Sequence, residues 1–135
     1  MAALLYLVDD DRDFLDLEAS ILTGAGYRVA TFSDQQSALA GLDAAARSGS
    51  GLPAIVITDL MMKALDSGFS LAAAIRADPR FRAIRLIIVS AVSSQRGFDF
   101  RPRSAQDLAA MHADAFFDKP VAPRVLLDKV AELLG

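Results

Sequence analysis

The sequence predicts an α/β domain built on a doubly wound parallel sheet with helices on both faces. Three observations lead there. Short apolar runs of strand length alternate with helix-periodic stretches, and the strand-helix alternation recurs five times along the chain. Hydrophobic residues make up 53% of the sequence and the mean hydropathy is +0.34, enough apolar side chain to cover a central sheet on two sides. The length of 135 residues suits one core, and right-handed crossovers between parallel strands then distribute the helices over both faces.

Each element follows from local pattern. Leu4–Val8 is a continuous apolar run of the buried-strand type. Phe14, Leu15, Leu17, Ile21 and Leu22 form a helix-spaced stripe, closed by Gly24 and Gly26. Tyr27–Phe32 reads as the second strand with Val29 inward. Ser33 and Gln36 have capping-box spacing and open a helix over Ala38–Arg47, which Ser48-Gly49-Ser50-Gly51 ends. Ala54–Thr58 is the third strand. Phe69–Ala77 is a helix whose apolar face is Leu71, Ile75 and the alanines, and Asp78-Pro79 stops it. Arg85–Ser90 is the fourth strand. Periodicity fails between Ser93 and Ser104. Leu108–His112 follows as a short helix, Ala115–Asp118 as the last strand, and Val121–Leu134 as a closing amphipathic helix through Val125, Leu126, Val130 and Leu133. No linker, repeat or low-complexity tract divides the chain, so residues 1–135 read as a single domain.

Bulk properties narrow the function classes. A net charge of −3 and a pI near 5.0 argue against direct nucleic-acid binding, which needs a basic stripe. There is no cysteine, hence no disulfide and no thiolate metal site. No apolar run approaches the roughly 18 residues that a membrane span requires, and the start Met-Ala-Ala-Leu-Leu-Tyr lacks a charged signal-peptide region. A cytoplasmic location is the expectation.

Polar groups collect at one end of the predicted strands. The first run ends in Asp9-Asp10-Asp11, the third in Asp59, the fourth in Ser90-Ala91, and the last leads through Asp118 to Lys119-Pro120. In an open parallel sheet the crevice lies beyond the carboxyl ends of the strands, so these groups meet at one rim. Clustered carboxylates repel one another unless a hard cation such as Mg²⁺ joins them. A carboxylate is also a competent nucleophile toward phosphorus. Phosphoryl transfer needs positioning and charge neutralisation on the equatorial oxygens, which a metal, the Lys119 ammonium and the Ser90 hydroxyl would share. Each group has an ordinary reading too: the three leading acids favour a helix N-terminus, Asp59 caps a turn, and Ser90 and Lys119 are solvated side chains. The combination at one rim is what carries the phosphoryl reading. His112, the only histidine, has no catalytic part in it.

The segments Leu5-Tyr6-Leu7-Val8-Asp9-Asp10-Asp11, Ile55-Val56-Ile57-Thr58-Asp59-Leu60-Met61-Met62, Ile87-Ile88-Val89-Ser90-Ala91 and Phe116-Phe117-Asp118-Lys119-Pro120 together resemble the receiver domains of two-component response regulators, the CheY-like family. The resemblance covers nearly the whole chain. It implies a flavodoxin-like five-stranded sheet in the order 2-1-3-4-5 with five helices. It implies that Asp59 is the phosphoacceptor for a sensor histidine kinase or phosphotransfer protein. Asp10 would be the main Mg²⁺ ligand, with Asp9 and Asp59 beside it and the Met61 backbone carbonyl as a further ligand. Ser90 would be the switch hydroxyl, Lys119 the partner of the phosphate and Phe116 the aromatic that turns inward on activation. The Lys119-Pro120 bond would be cis. Such a domain is not an enzyme beyond Mg²⁺-dependent self-phosphorylation and autodephosphorylation, and it signals through a downstream protein or output domain.

The chain departs from the family pattern in places. Lys63 stands where proline is common, and Asp66-Ser67-Gly68-Phe69 is one residue longer than the usual Asp-Gly entry to the helix. Apolar Met61 and Val92 would flank the route of attacking water, which predicts slow autodephosphorylation. Ser93–Ser104 interleaves Arg96, Arg101 and Arg103 with Phe98 and Phe100, and Gly97 and Pro102 interrupt helical periodicity. A displaced or shortened fourth helix is expected, with the segment either a surface loop or a partner-docking element. Two other functions remain open from sequence: a haloacid-dehalogenase-like phosphatase using Asp9 and Asp11, and a degenerate receiver that binds a partner without phosphorylation.

Overall fold

A computed structural model describes residues 3–49, 51–59, 67–90, 113–119 and 121–135, with positions 67–70 and 90 described in backbone only. The chain runs β1 Leu4–Val8, α1 Arg12–Gly24, β2 Arg28–Phe32, α2 Gln35–Ser48, β3 Ile55–Asp59, α3 Ser67–Ala77, a 3₁₀ turn Pro79–Phe81, β4 Arg85–Ser90, β5 Ala115–Asp118 and a C-terminal helix Pro123–Leu134. All pairings are parallel, and the strand order is β2-β1-β3-β4-β5, the order that the resemblance implies.

Two apolar layers sandwich the sheet. Side chains alternate across a strand, so every second residue serves the same layer. Leu5 and Leu7 of β1, Ile55 and Ile57 of β3, Ile87 and Val89 of β4, and Ala115 of β5 pack with Leu15 and Leu22 of α1 and with Leu126 and Val130 of the C-terminal helix. The intervening residues Tyr6, Val8, Val56, Leu86 and Ile88 pack against Ala38 and Leu42 of α2 and against Leu71 and Ile75 of α3. The central strands are apolar on both faces, which explains their continuous hydrophobic runs.

Four sequence expectations are corrected. The cap of α2 is Asp34, whose carboxylate accepts the Ser37 N–H at 2.7 Å, rather than Ser33; a charged acceptor makes the stronger bond. The third strand begins at Ile55 and takes in Asp59 as its last residue. Leu17 and Val125 point to solvent, at 59% and 48% exposure, so neither belongs to its helix's buried stripe. The last helix begins two residues later than expected, with Pro123 in its first turn, where a missing N–H costs nothing. The predicted helix Leu108–His112 and the segment Ser93–Ser104 lie outside the described residues.

A clasp closes the amino-terminal edge of the sheet. The Asp114 carboxylate accepts the Leu86 N–H at 2.8 Å and an Arg76 N–H at 2.9 Å, and Arg76 also donates to the Ile84 carbonyl at 2.7 Å. One side chain thus ties α3, β4 and the entry to β5. Asp114→Ala leaves a half-buried guanidinium and a strand N–H without their acceptor, so it should cost about 2 kcal/mol of unfolding free energy in urea titration.

Candidate functional site

The β1 end sets the first carboxylates. The Asp9 N–H donates to the Phe32 carbonyl at 3.0 Å, extending the sheet one residue past β1. The Asp9 Oδ1 then accepts the Asp11 N–H at 2.9 Å, which turns the chain into α1. Asp11 is used differently: its carboxylate caps α1 by accepting the Phe14 N–H at 3.2 Å. Of the three leading acids, one therefore serves the helix and two face the rim.

Strand parity brings in the rest. Asp9, Asp59 and Lys119 each follow two residues after a side chain of the layer formed with α1 and the C-terminal helix, namely Leu7, Ile57 and Phe117. Asp59 pairs in register with Val89, and Ser90 with Asp118, so the ends of β3, β4 and β5 are level. Lys119 Nζ donates to Asp9 Oδ2 at 2.7 Å and to Asp59 Oδ2 at 3.4 Å, and it lies 4.0 Å from the centre of the Phe14 ring. Asp9 and Asp59 are buried, at 2% and 7% exposure, whereas Asp10 is exposed.

Electrostatics follow from this burial. Desolvation pushes the Asp9 carboxyl above the usual carboxylate range, although Lys119 and the Asp11 N–H pull the other way. Burial works against the Lys119 charge, but Asp9 and Asp59 outweigh it and its pKa is raised. Among the described residues, Lys119 is the cation that these acids hold.

The acids fit a divalent cation. One oxygen each of Asp9, Asp10 and Asp59 lie within 4.8 Å of one another. Oxygens around one Mg²⁺ at about 2.1 Å are at most about 4.2 Å apart, close to the spacing that these three carboxylates already have. The donor set is all oxygen, which suits Mg²⁺.

The structure places the expected site residues differently. Asp9, Asp10, Asp59 and Lys119 are brought together as described. Phe116 lies opposite Ile88 in register and is half-buried against the layer of α2 and α3. Ser90 ends β4 at the same rim, described in backbone only. Met61, Lys63, Val92 and the Lys119-Pro120 peptide's proline lie outside the described residues.

One residue escaped the sequence reading. Glu18, in the middle of α1, is buried at 2% exposure and its Oε1 has no hydrogen-bond partner. Burial pushes its carboxyl up to about 7, with the Lys119 charge opposing and Asp9 adding to the shift. The signal was present: Leu15, Glu18 and Leu22 recur at helical spacing, which puts Glu18 between two core positions.

Comparison with known proteins agrees with this geometry. Residues 5–131 match the response regulator receiver domain. The transcriptional regulatory protein GltR of Pseudomonas aeruginosa is 30% identical over an alignment covering 96% of this chain and 48% of its own length, so the chain spans about half of that relative. The chemotaxis response regulator CheY4 of Vibrio cholerae superposes with a TM-score of 0.76 at 22% identity, covering 98% of this chain and 99% of that one. The response regulator TrrA of Thermotoga maritima, solved in complex with Mg²⁺-BeF, gives a TM-score of 0.72 at 26% identity, again covering 98% and 99%.

Proposed function

Because the chain belongs to the response regulator receiver domain family, we propose that it is a phosphorylatable switch, one receiver domain over residues 1–135. Asp59 accepts a phosphoryl group from the phosphohistidine of a sensor histidine kinase or phosphotransfer protein. The state is passed by protein contacts to a downstream protein or output domain. The observation that carries this reading is Lys119 bonded to both Asp9 and Asp59, beside Asp10, at the carboxyl edge of the sheet. Among the described residues no helix is long and apolar enough to cross a membrane, which accords with a cytoplasmic switch.

The chemistry assigns each group a task. An Asp59 carboxylate oxygen attacks phosphorus; the new O–P bond forms as the N–P bond breaks, and the imidazole leaves with the electron pair. Asp9, Asp10, Asp59 and the Met61 carbonyl would hold Mg²⁺, which supplies charge neutralisation on the phosphoryl oxygens. Lys119 takes a second oxygen and the Ser90 hydroxyl a third. A phosphoryl group adds about −1.5 to −2 charge, so Ser90 gains a phosphoryl acceptor and Lys119 exchanges its carboxylate contacts for one only in the phosphorylated state. That difference is what biases a two-state equilibrium, with Phe116 filling the space that the Ser90 loop vacates.

Intact mass after incubation with a small acyl-phosphate donor tests this. The wild type should gain one phosphoryl group only with Mg²⁺, and Asp59→Asn should gain none. No gain in the wild type would point to a phosphorylation-independent binding module. Donor consumption that survives Asp59→Asn would point to Asp9-centred phosphatase chemistry.

A further inference from the structure

Among the described residues Glu18 is the one buried acid that the phosphorylation chemistry leaves unused. It lies one helical turn after Phe14 on the same face of α1, since residues four apart are neighbours. Side chains on a helix lean toward its N-terminus, and α1 begins at the rim beside Asp9-Asp10-Asp11, so the Glu18 carboxyl is directed up toward the site. A small cavity lined by Leu7, Asp9, Phe14, Glu18, Thr58 and Asp59 joins it to the acid pair. Lys119 Nζ sits on the ring of Phe14, one of the residues that line that space. The Glu18 Oε1 is a buried acceptor with no donor, and such an atom has a strong demand for a hydrogen bond.

We propose that Glu18 is a positioning residue that competes with the phosphoryl group for the Lys119 ammonium. The inference rests on the receiver reading above. Before phosphorylation Asp9 and Asp59 hold Lys119, at 2.7 and 3.4 Å. Once Asp59 is esterified and Asp9 faces the metal, the ammonium is drawn by two anions: a phosphoryl oxygen and, across the cavity, the Glu18 carboxyl whose field it already feels. Each moment spent on Glu18 is a moment in which the phosphoryl charge lacks its lysine. Glu18 therefore weakens the phosphorylated state through Lys119, without touching the phosphoryl group.

The test is a double-mutant cycle on the full chain, titrating beryllofluoride with saturating Mg²⁺ at pH 8 by calorimetry. Glu18→Gln and Glu18→Leu should tighten binding about fivefold when Lys119 is present. In a Lys119→Ala background the same changes should alter affinity less than about twofold, because the competitor has lost what it competes for. An equal effect in both backgrounds, as general loosening of the site would give, overturns the proposal. No change in the Lys119-containing protein also overturns it. Glu18→Gln keeps the shape of the side chain, so the answer does not depend on Glu18→Leu folding. A wild type that binds no Mg²⁺-beryllofluoride would overturn the receiver reading itself, a different failure from a cycle that closes to zero.

Discussion

Glu18→Leu should make the metal-free protein more stable at pH 8 by about 3 kcal/mol while leaving its stability near pH 4 little changed. Burial holds the Glu18 carboxyl at about 7 against an ordinary 4.5. Below the ordinary value the group is protonated in the folded and the unfolded chain alike, and it contributes no penalty. Between about 4.5 and about 7 the unfolded chain releases the proton and the native protein keeps it, so stability falls as pH rises. Above 7 the native carboxyl ionises in a buried place and the penalty is complete. Asp9, Asp59 and Lys119 are the charged groups that face it across the cavity. Leucine has no such proton, and its apolar side chain suits the layer of Leu15 and Leu22. Urea titrations in chelator from pH 4 to 8 should show a slope in the wild type that is shallower in Glu18→Leu and in Glu18→Gln. Parallel curves for all three would contradict a strained carboxyl at this position.

Lys119→Met should lower metal-free stability at pH 7 by about 3 kcal/mol, and Mg²⁺ should restore most of it. The ammonium is largely buried between Asp9 and Asp59, at 14% side-chain exposure. Removing it takes the shared ammonium away from two buried acids, the costly half of a broken ion pair. A divalent cation binds the native acids only, and its mass-action stabilisation follows its concentration over its dissociation constant. In the wild type Mg²⁺ must draw Asp9 away from a 2.7 Å contact with lysine; in the variant it meets no rival. The midpoint gained on adding Mg²⁺ should therefore be larger for Lys119→Met than for the wild type. A smaller gain would mean that Lys119 and the metal do not share Asp9.

The strands were legible because a parallel sheet covered on both sides demands continuous apolar runs, and Leu4–Val8, Arg85–Ser90 and Ala115–Asp118 have the bounds read from sequence. The rim residues were legible for a related reason. Each stands within two residues of the end of such a run, and parity then decides which layer it faces. Helices were less legible because their stripes are broad. Leu17 and Glu18 illustrate it: hydrophobicity places the leucine inside and the glutamate outside, and the structure reverses both. What decides is angular position on α1, where Glu18 falls within about 60° of Leu15 and Leu22 and Leu17 lies on the far side. The α2 cap failed for want of discrimination between adjacent candidates, Ser33 and Asp34, which differ in acceptor strength rather than in spacing.

The contact between Lys119 and Asp9 joins residues 110 apart in sequence, and the lysine follows the last strand to be made. A chain still on the ribosome has Asp9, Asp10 and Asp59 long before it has their cation. The acids thus wait for this ammonium, which arrives only when β5 docks beside β4. An unfinished copy therefore lacks the ammonium that bridges Asp9 and Asp59.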